Sequence, residues 1–271
     1  MNRQFSTALI TGASSGIGEA YALAVAEKGN YNLLLVARRS ERLRGLRSKI
    51  EQKWEKLPWE QRPGVREFST DLSSNSARLS LLEQLEEEHL EVDMLVNNAG
   101  FGSLVRFSES EAQRELSMLE VNCAAPLHFC HYFLPLMQSR AHGIIINVCS
   151  TAAYQPMPYM ATYAATKAFL LHFTVALASE ARESGVTVLA HCPGPTQSEF
   201  HLTLGLTKKV DILPAATAQQ VVAEALLAAQ KRQTICINGL TNRCLAGATR
   251  FLSKKFSARL VKSTLEKWLS K

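Results

Sequence analysis

The strongest constraint in this sequence is an alternation. Short unbroken apolar runs recur along the chain, and a helix-length amphipathic stretch follows most of them. The runs are Phe5–Thr11, Tyr31–Ala37, Val65–Thr70, Val92–Val96, Gly143–Cys149 and Val186–His191, with a last short one at Thr234–Ile237. A strand that is apolar along its whole length, rather than at every second residue, must be covered on both faces. Helical crossovers between parallel strands supply that cover. The chain is therefore expected to be α/β, with one doubly wound parallel sheet of about seven strands flanked by helices. At 271 residues, 46% hydrophobic and 20% charged, it can fill such a core. No linker or internal repeat divides residues 1–240. Residues 241–271 read as a basic amphipathic helical extension.

Ligands of such sheets sit at the C-terminal ends of the strands, so the loops after each run carry the argument. The first reads Thr11-Gly12-Ala13-Ser14-Ser15-Gly16-Ile17-Gly18. A glycine-rich turn between strand and helix lets backbone approach a phosphate at the helix's positive end. Gly12 suits the tight turn, Gly16 the close approach, and Gly18 the packing of helix on strand. Ser14 and Ser15 are further phosphate donors. The spacing is GxxxGxG rather than GxGxxG. The second run ends in Arg38-Arg39, where a dinucleotide's adenosine ribose would lie. Two cations there, with no acid before Glu41, favour a 2′-phosphate and hence NADP over NAD; a solvated charge pair is the bland alternative. Asp71-Leu72 closes the third run. Its carboxylate suits either the adenine amino group or the N-cap of a helix over 74–89. Asn97-Asn98-Ala99-Gly100 suits a loop packed on a flat ligand or one that ties strands together. In the helix expected over about Glu111–Ser139, Pro126 has no N–H for the Asn122 carbonyl, so a kink and a freed carbonyl are expected there. Cys192-Pro193-Gly194-Pro195-Thr196 is a further rigid strand-end loop.

The chemistry concentrates in Ser150–Lys167. Tyr163 and Lys167 are four apart and share a face on a helix. A free tyrosine, with a pKa near ~10, is a poor acid or base at neutral pH. A nearby ammonium is expected to lower that pKa and make Tyr163 usable as a general acid/base. Ser150, at the strand end, is placed to hold a substrate oxygen beside it. Tyr159 lacks a lysine four residues on and fails the pattern.

The rest of the chain excludes more than it assigns. Six cysteines show no CxxC and no ligand spacing, so they read as free thiols in a reducing compartment, with no metal and no disulfide. His172, His191 and His201 have no partner spacing and read as structural or solvated. The N-terminus lacks a signal-peptide pattern and no apolar run reaches ~18 residues, so a soluble cytoplasmic protein is expected. Eight Lys and Arg residues lie from Arg243 to Lys271 with Glu266 the one acid, so this tail accounts for the whole net charge of +6. It reads first as the solvated basic face of a packing helix. Contact with an anionic membrane surface or nucleic acid is the alternative, and no nucleic-acid partner is expected. The helix over 161–182 is apolar nearly all round, which implies the sheet on one side and another helix or subunit on the other. Gln197–Ile212 is irregular and suits a substrate lid. Tyr154, Met157, Phe200 and Leu202 give the expected pocket an apolar character.

Taken together, TGASSGIG at 11–18, Asp71-Leu72, NNAG at 97–100, Asn122, Ser150, Tyr163-x-x-x-Lys167 and Pro193-Gly194-x-Thr196 resemble the short-chain dehydrogenase/reductase family, over about Phe5–Ile237. The resemblance implies a Rossmann-like fold and NADP(H)-dependent interconversion of a carbonyl and an alcohol. It also implies a homodimer or homotetramer. Tyr163 would be the acid/base, Ser150 would steady the carbonyl, Lys167 would hold the nicotinamide ribose, and Asn122 a relay water. Asp71 and Asn98 to Gly100 would lie along the adenine side, and Thr196 would meet the carboxamide. A dinucleotide-binding sensor on the same fold, without turnover, is the rival reading.

Overall fold

Seven apolar runs become seven strands of one parallel sheet. The computed structural model describes residues 4–204, 215–249 and 251–269. In chain order the elements are β1 (Ser6–Thr11), α1 (Gly16–Glu27), β2 (Tyr31–Ala37), α2 (Ser40–Trp54), β3 (Val65–Ser69), α3 (Asn75–Glu87), β4 (Met94–Asn97), α4 (Ala112–Leu119) and α5 (Ala125–Ser139). They continue with β5 (Gly143–Val148), α6 (Ala161–Glu180), β6 (Val186–Cys192), β7 (Thr196–Gln197), α7 (Phe200–Thr203), β8 (Ala216–Thr217), α8 (Ala218–Gln230), β9 (Ile235–Ile237), α9 (Leu240–Ala248) and α10 (Lys254–Leu269). The large sheet runs β3-β2-β1-β4-β5-β6-β9, and β7 pairs with β8 in a two-residue ribbon. Strand order reverses between β1 and β4, which are paired through Ala8–Met94 to Ile10–Val96. That reversal opens a crevice at the C-terminal strand ends.

Successive strand residues point to opposite faces, and both faces are buried. Ala8, Ile10, Leu33, Leu35, Met94 and Val96 pack under α1, α2 and α8 with Tyr21, Leu43, Ile50 and Val222. Leu9, Leu34, Val36, Leu95 and Ile145 pack on the other side under α3 and α5 with Leu81, Leu85, Phe129 and Phe133. Each such Leu, Ile or Phe contributes roughly 1.5–3 kcal/mol of burial. This is why the runs had to be apolar throughout. Buried polar groups tie the layers: Asn97 Nδ2 donates to Asn147 Oδ1 at 2.8 Å, and Asn147 Nδ2 to Thr174 Oγ1 at 2.9 Å. His191 sits between Tyr21 Oη (2.8 Å) and Asn238 Oδ1 (2.7 Å), so its role is structural.

Three expectations shift. The helix read over Glu111–Ser139 is two helices joined by a wide π-type turn, Glu120–Ala124, in which the Ala125 N–H reaches back to the Glu120 carbonyl. Pro126 cannot supply the next regular bond, and the chain takes in one extra residue instead of a simple kink. Asp71 is not an N-cap: Ser74 caps α3 by accepting from the Ala77 N–H. Part of the segment read as irregular over Gln197–Ile212 is ordered into α7 and the β7–β8 ribbon; residues 205–214 lie outside the described residues. In α6, Leu170 and Thr174 are buried, while Phe169 stays partly exposed and stacks on Phe173 with ring centroids 5.9 Å apart.

Candidate active site

A cleft of about 550 Å³ lies along the C-terminal strand ends. One side of it is the turn between β1 and α1. Gly12 and Gly16 have φ of +65° and +59°, in the region that favours glycine. A Cβ on Gly12 would lie 2.7 Å from Asn98 Nδ2 and 2.8 Å from Ala99 Cα. Gly18 stands behind the turn: a Cβ there would lie 2.2 Å from the Gly12 carbonyl oxygen and 2.4 Å from Asn98 Nδ2. The loop after β4 holds this turn in shape. Asn98 Nδ2 donates to the carbonyls of Thr11 and Gly12 at 2.9 and 3.2 Å, and Thr11 Oγ1 accepts from the Asn98 and Ala99 N–H groups, both at 3.0 Å. Ser14, Ser15, Gly16 and Ile17 line the cleft directly.

Beside the glycine turn the cleft is bordered by Arg38, Arg39, Asp71 and Leu72. Arg39 folds over the turn, its Nη2 donating to Ser14 Oγ at 3.0 Å and to Ser15 Oγ at 2.7 Å. Its Nη1 meets Glu199 Oε2 at 3.0 Å, and Arg42 Nη2 meets Glu199 Oε1 at 3.3 Å. Hydrogen bonding from Arg39, aided by the nearby Arg42 charge, holds Glu199 below the usual carboxylate range despite its partial burial. For Asp71, burial alone would raise the pKa. Hydrogen bonds from the Ser73 N–H and hydroxyl, with Arg38 nearby, bring it below its ordinary value.

At the other end Tyr163 and Lys167 project from the first turns of α6, both buried. Burial pushes the Tyr163 phenol up to about 12, partly opposed by its hydrogen bond with Ser150. Ser150 Oγ already accepts from the Ala152 N–H at 3.1 Å, which leaves its own proton for the phenol oxygen. Lys167 Nζ donates to the Val148 carbonyl at 2.8 Å and stands 5.9 Å from the Tyr163 ring centroid. Burial holds Lys167 below its ordinary value. The expected lowering of Tyr163 by Lys167 is thus corrected. The ammonium is spent on a strand-end carbonyl, and loss of water around the phenol outweighs everything else acting on it.

Asn122, fully buried in the π-type turn, does not line the cleft. Its Nδ2 donates to the Phe101 carbonyl and Thr166 Oγ1, both at 3.0 Å, and its Oδ1 accepts from the Phe101 N–H at 3.1 Å. It fixes the loop after Gly100, where a Cβ would press on Asn122 Oδ1 at 3.0 Å and Lys167 Nζ at 3.4 Å. Pro193, Gly194 and Thr196 line the wall after β6, with Thr196 Oγ1 donating to the Gly194 carbonyl at 2.9 Å. The wall beyond Tyr163 is apolar, built from Phe101, Met157, Met160, Phe200 and Leu204. Tyr154 is not part of it; its hydroxyl points to Cys192 Sγ at 3.8 Å. The Leu202 side chain lies outside the described residues. Sequence reasoning missed Phe101 and Met160, and it did not single out Glu199 and Leu204 within the Gln197–Ile212 segment; none carries a motif of its own.

Residues 6–209 match the family model for short chain dehydrogenase. The chain belongs to the short-chain dehydrogenase family. Among its relatives, a very-long-chain 3-oxoacyl-CoA reductase of Pyrenophora tritici-repentis is 37% identical over 184 residues, 67% of this chain and 52% of the relative. The chain thus spans about half the length of the curated relatives that it matches. A short-chain dehydrogenase from Sphingobium yanoikuyae in complex with NADPH superposes with a TM-score of 0.79 at 29% identity, over 91% of this chain and 94% of that one. A bulky-bulky ketone specific alcohol dehydrogenase from Comamonas testosteroni superposes with a TM-score of 0.75 at 27% identity, over 91% and 92%. Ser150, just after β5, and Tyr163 and Lys167, on α6, are brought together in one cleft from two parts of the chain. Among the described residues no cluster of His, Cys, Asp and Glu could hold a metal.

Proposed function

We propose that this short-chain dehydrogenase uses NADP(H) to interconvert an apolar ketone or aldehyde and its alcohol, with Tyr163 as the acid/base. One observation carries the reading. A buried, protonated phenol hydrogen-bonded to Ser150 faces the same cleft whose far end holds the glycine turn and Arg38/Arg39. The glycine turn suits a dinucleotide, because Gly12, Ser14, Ser15, Gly16 and Ile17 line the cleft at the start of α1, where a phosphate can approach the backbone closely. When bound, the nicotinamide supplies or takes up hydride. The glycine turn, Ser14 and Ser15 would hold phosphate, and Arg38 and Arg39 the 2′-phosphate. Asp71, Leu72, Asn98, Ala99 and Gly100 would border the adenine side, and Pro193, Gly194 and Thr196 the carboxamide side.

Tyr163 Oη gives its proton to the carbonyl oxygen in reduction and takes it back in oxidation. The high Tyr163 pKa keeps that proton in place at neutral pH. Ser150 Oγ positions the same oxygen. Lys167 would hold the ribose side, and Asn122 keeps the loop beside Lys167 in place. Met157, Met160, Phe200 and Leu204 favour an apolar substrate, because among the described residues the wall beyond Tyr163 offers no pair of cations to a carboxylate. The relatives' 3-oxoacyl-CoA and bulky-ketone names agree with that class. The reading extends to a homodimer or homotetramer, supported by exposed Leu127 and Leu136 on α5 and Phe169 on α6. Light scattering that gives a monomer would end that part.

The test is absorbance loss at 340 nm with NADPH, and separately NADH, over steroid ketones, 3-oxoacyl thioesters, bulky aromatic ketones and small keto acids. Turnover of the apolar members with NADPH is expected. Turnover confined to keto acids, or to NADH, would overturn the substrate or cofactor reading respectively. NADPH binding with a flat panel would favour a sensor.

A further inference from the structure

The last two helices expose what folding normally hides. Between residues 240 and 260 the surface carries Leu240, Leu245, Phe251, Leu252, Phe256 and Leu260, with Phe251 91% exposed. Phe256 and Leu260 are four apart and share one face of α10. Lys255, Arg259 and Lys262 fall on the adjoining face, and Lys254 and Arg243 lie nearby in sequence. All five cations are exposed. The one acid of this tail, Glu266, already accepts from Tyr159 Oη at 2.7 Å and pairs with Lys262 Nζ at 3.5 Å. Lys254, Lys255 and Arg259 form no ion pair among the described residues.

We propose that α9, the turn after it and the outer face of α10 dock on an anionic lipid bilayer. An amphipathic helix with Phe and Leu on one face and Lys and Arg beside them lies in the headgroup region. Its apolar side chains reach the acyl boundary and its cations meet anionic headgroups. Charge decides against the other occupants. A second copy seated symmetrically on this face would set one basic tail against another. A nucleic acid, polar along its backbone, would leave Leu240, Leu245, Leu252 and Leu260 without a partner. No helix among the described residues is long and apolar enough to cross a membrane, so the contact is peripheral. The proposal departs from the expectation of a merely solvated basic face because of the exposed aromatic and aliphatic side chains beside the cations.

The inner face of the same helix gives the docking a consequence. Val261 and Leu265 pack in one cluster with Met160, Tyr163, Phe200 and Leu204, the apolar wall of the cleft. The helix that meets the bilayer therefore also backs the apolar wall of the cleft. On the proposed oxidoreductase reading, an apolar carbonyl dissolved in the bilayer reaches Tyr163 past α10.

The experiment is co-sedimentation of the full chain with phosphatidylcholine vesicles and with vesicles carrying phosphatidylglycerol. Binding to the anionic vesicles, weakened by added salt, is expected. Replacing Lys254, Lys255 and Arg259 by Gln should weaken binding about five-fold per charge. Phe251→Ser with Phe256→Ser should abolish it while NADPH affinity stays at the wild-type value, which shows the fold intact. Tyr163→Phe should bind vesicles like the wild type, so a failure of catalysis and a failure of docking are read separately. No binding, equal binding to neutral and anionic vesicles, or variants that sediment like the wild type would each overturn the proposal. So would a paired Phe variant that halves the particle mass in light scattering without changing vesicle binding, since a second copy would then cover this face.

Discussion

Glu199→Gln should tighten NADPH binding, although it removes a side chain from the rim of the nucleotide cleft. The carboxylate lies 3.0 Å from Nη1 of Arg39, one of the two cations proposed to take the 2′-phosphate, and 3.3 Å from Nη2 of Arg42. A dinucleotide phosphate must displace it. Both arginines are about half exposed and Glu199 about one-third, so each pair falls in the solvent-screened range of roughly 0.2–1 kcal/mol. Two such contacts amount to about 1 kcal/mol, or about five-fold in Kd. Gln keeps the shape of the segment between β7 and α7 and removes only the charge. Titration by NADPH fluorescence at low salt should show this gain, and added salt should shrink it. NADH, which has no 2′-phosphate to set against Arg39, should gain less. Unchanged or weaker NADPH binding in the variant would refute the competition and, with it, the placing of the 2′-phosphate at Arg39.

Three further outcomes follow from the geometry. Arg39→Leu should weaken NADPH by about ten-fold or more, as expected for loss of a charge-assisted contact, while leaving NADH within a few-fold; equal losses for both would place the 2′-phosphate elsewhere. Gly18→Ala should abolish nucleotide binding and lower Tm, because its Cβ has only 2.2 Å to the Gly12 carbonyl oxygen; a variant that melts and binds like the wild type would contradict the packing described. Burial lowers His191 from 6.5 to about 4, against its hydrogen bond to Asn238 Oδ1. The unfolded chain therefore binds a proton there first as pH falls. The resulting stability, of order ~3 kcal/mol, is full above pH 6.5 and is lost as pH drops toward 4. Urea unfolding should show a flatter pH slope for His191→Asn over that window, and an unchanged slope would assign the acid sensitivity to other groups.

The sheet was legible because its strands are buried on both faces. Such strands cannot alternate, and β2 and β5 stand out as near-continuous aliphatic runs. The glycine turn was legible for a similar reason: Gly12, Gly16 and Gly18 each answer to a steric demand that only glycine meets. What stayed hidden depends on partners distant in sequence. The Arg39–Glu199 contact spans 160 residues and follows no period. The i,i+4 spacing placed Lys167 on the Tyr163 face but not its Nζ on the Val148 carbonyl, which belongs to β5. The widened turn at Asn122 was half visible. Pro126 announces a missing bond, but whether the helix kinks or takes in a residue depends on how Asn122 locks to Phe101 and Thr166. On α10 the pattern showed an amphipathic basic helix, and only packing reveals that Val261 and Leu265 take the inward side while Phe256 and Leu260 are left outside.

The most direct test of the account is the turnover number of Tyr163→Phe with NADPH and the best substrate of the panel. The substitution removes one oxygen from a buried ring and leaves the cleft's shape, so NADPH affinity should stay within a few-fold of wild type. Loss of the proton donor should cut kcat by about 10²–10⁴-fold. A variant that turns over within a few-fold of wild type would mean that the proton comes from elsewhere, and the assignment of the active site to Tyr163, Ser150 and Lys167 would fall.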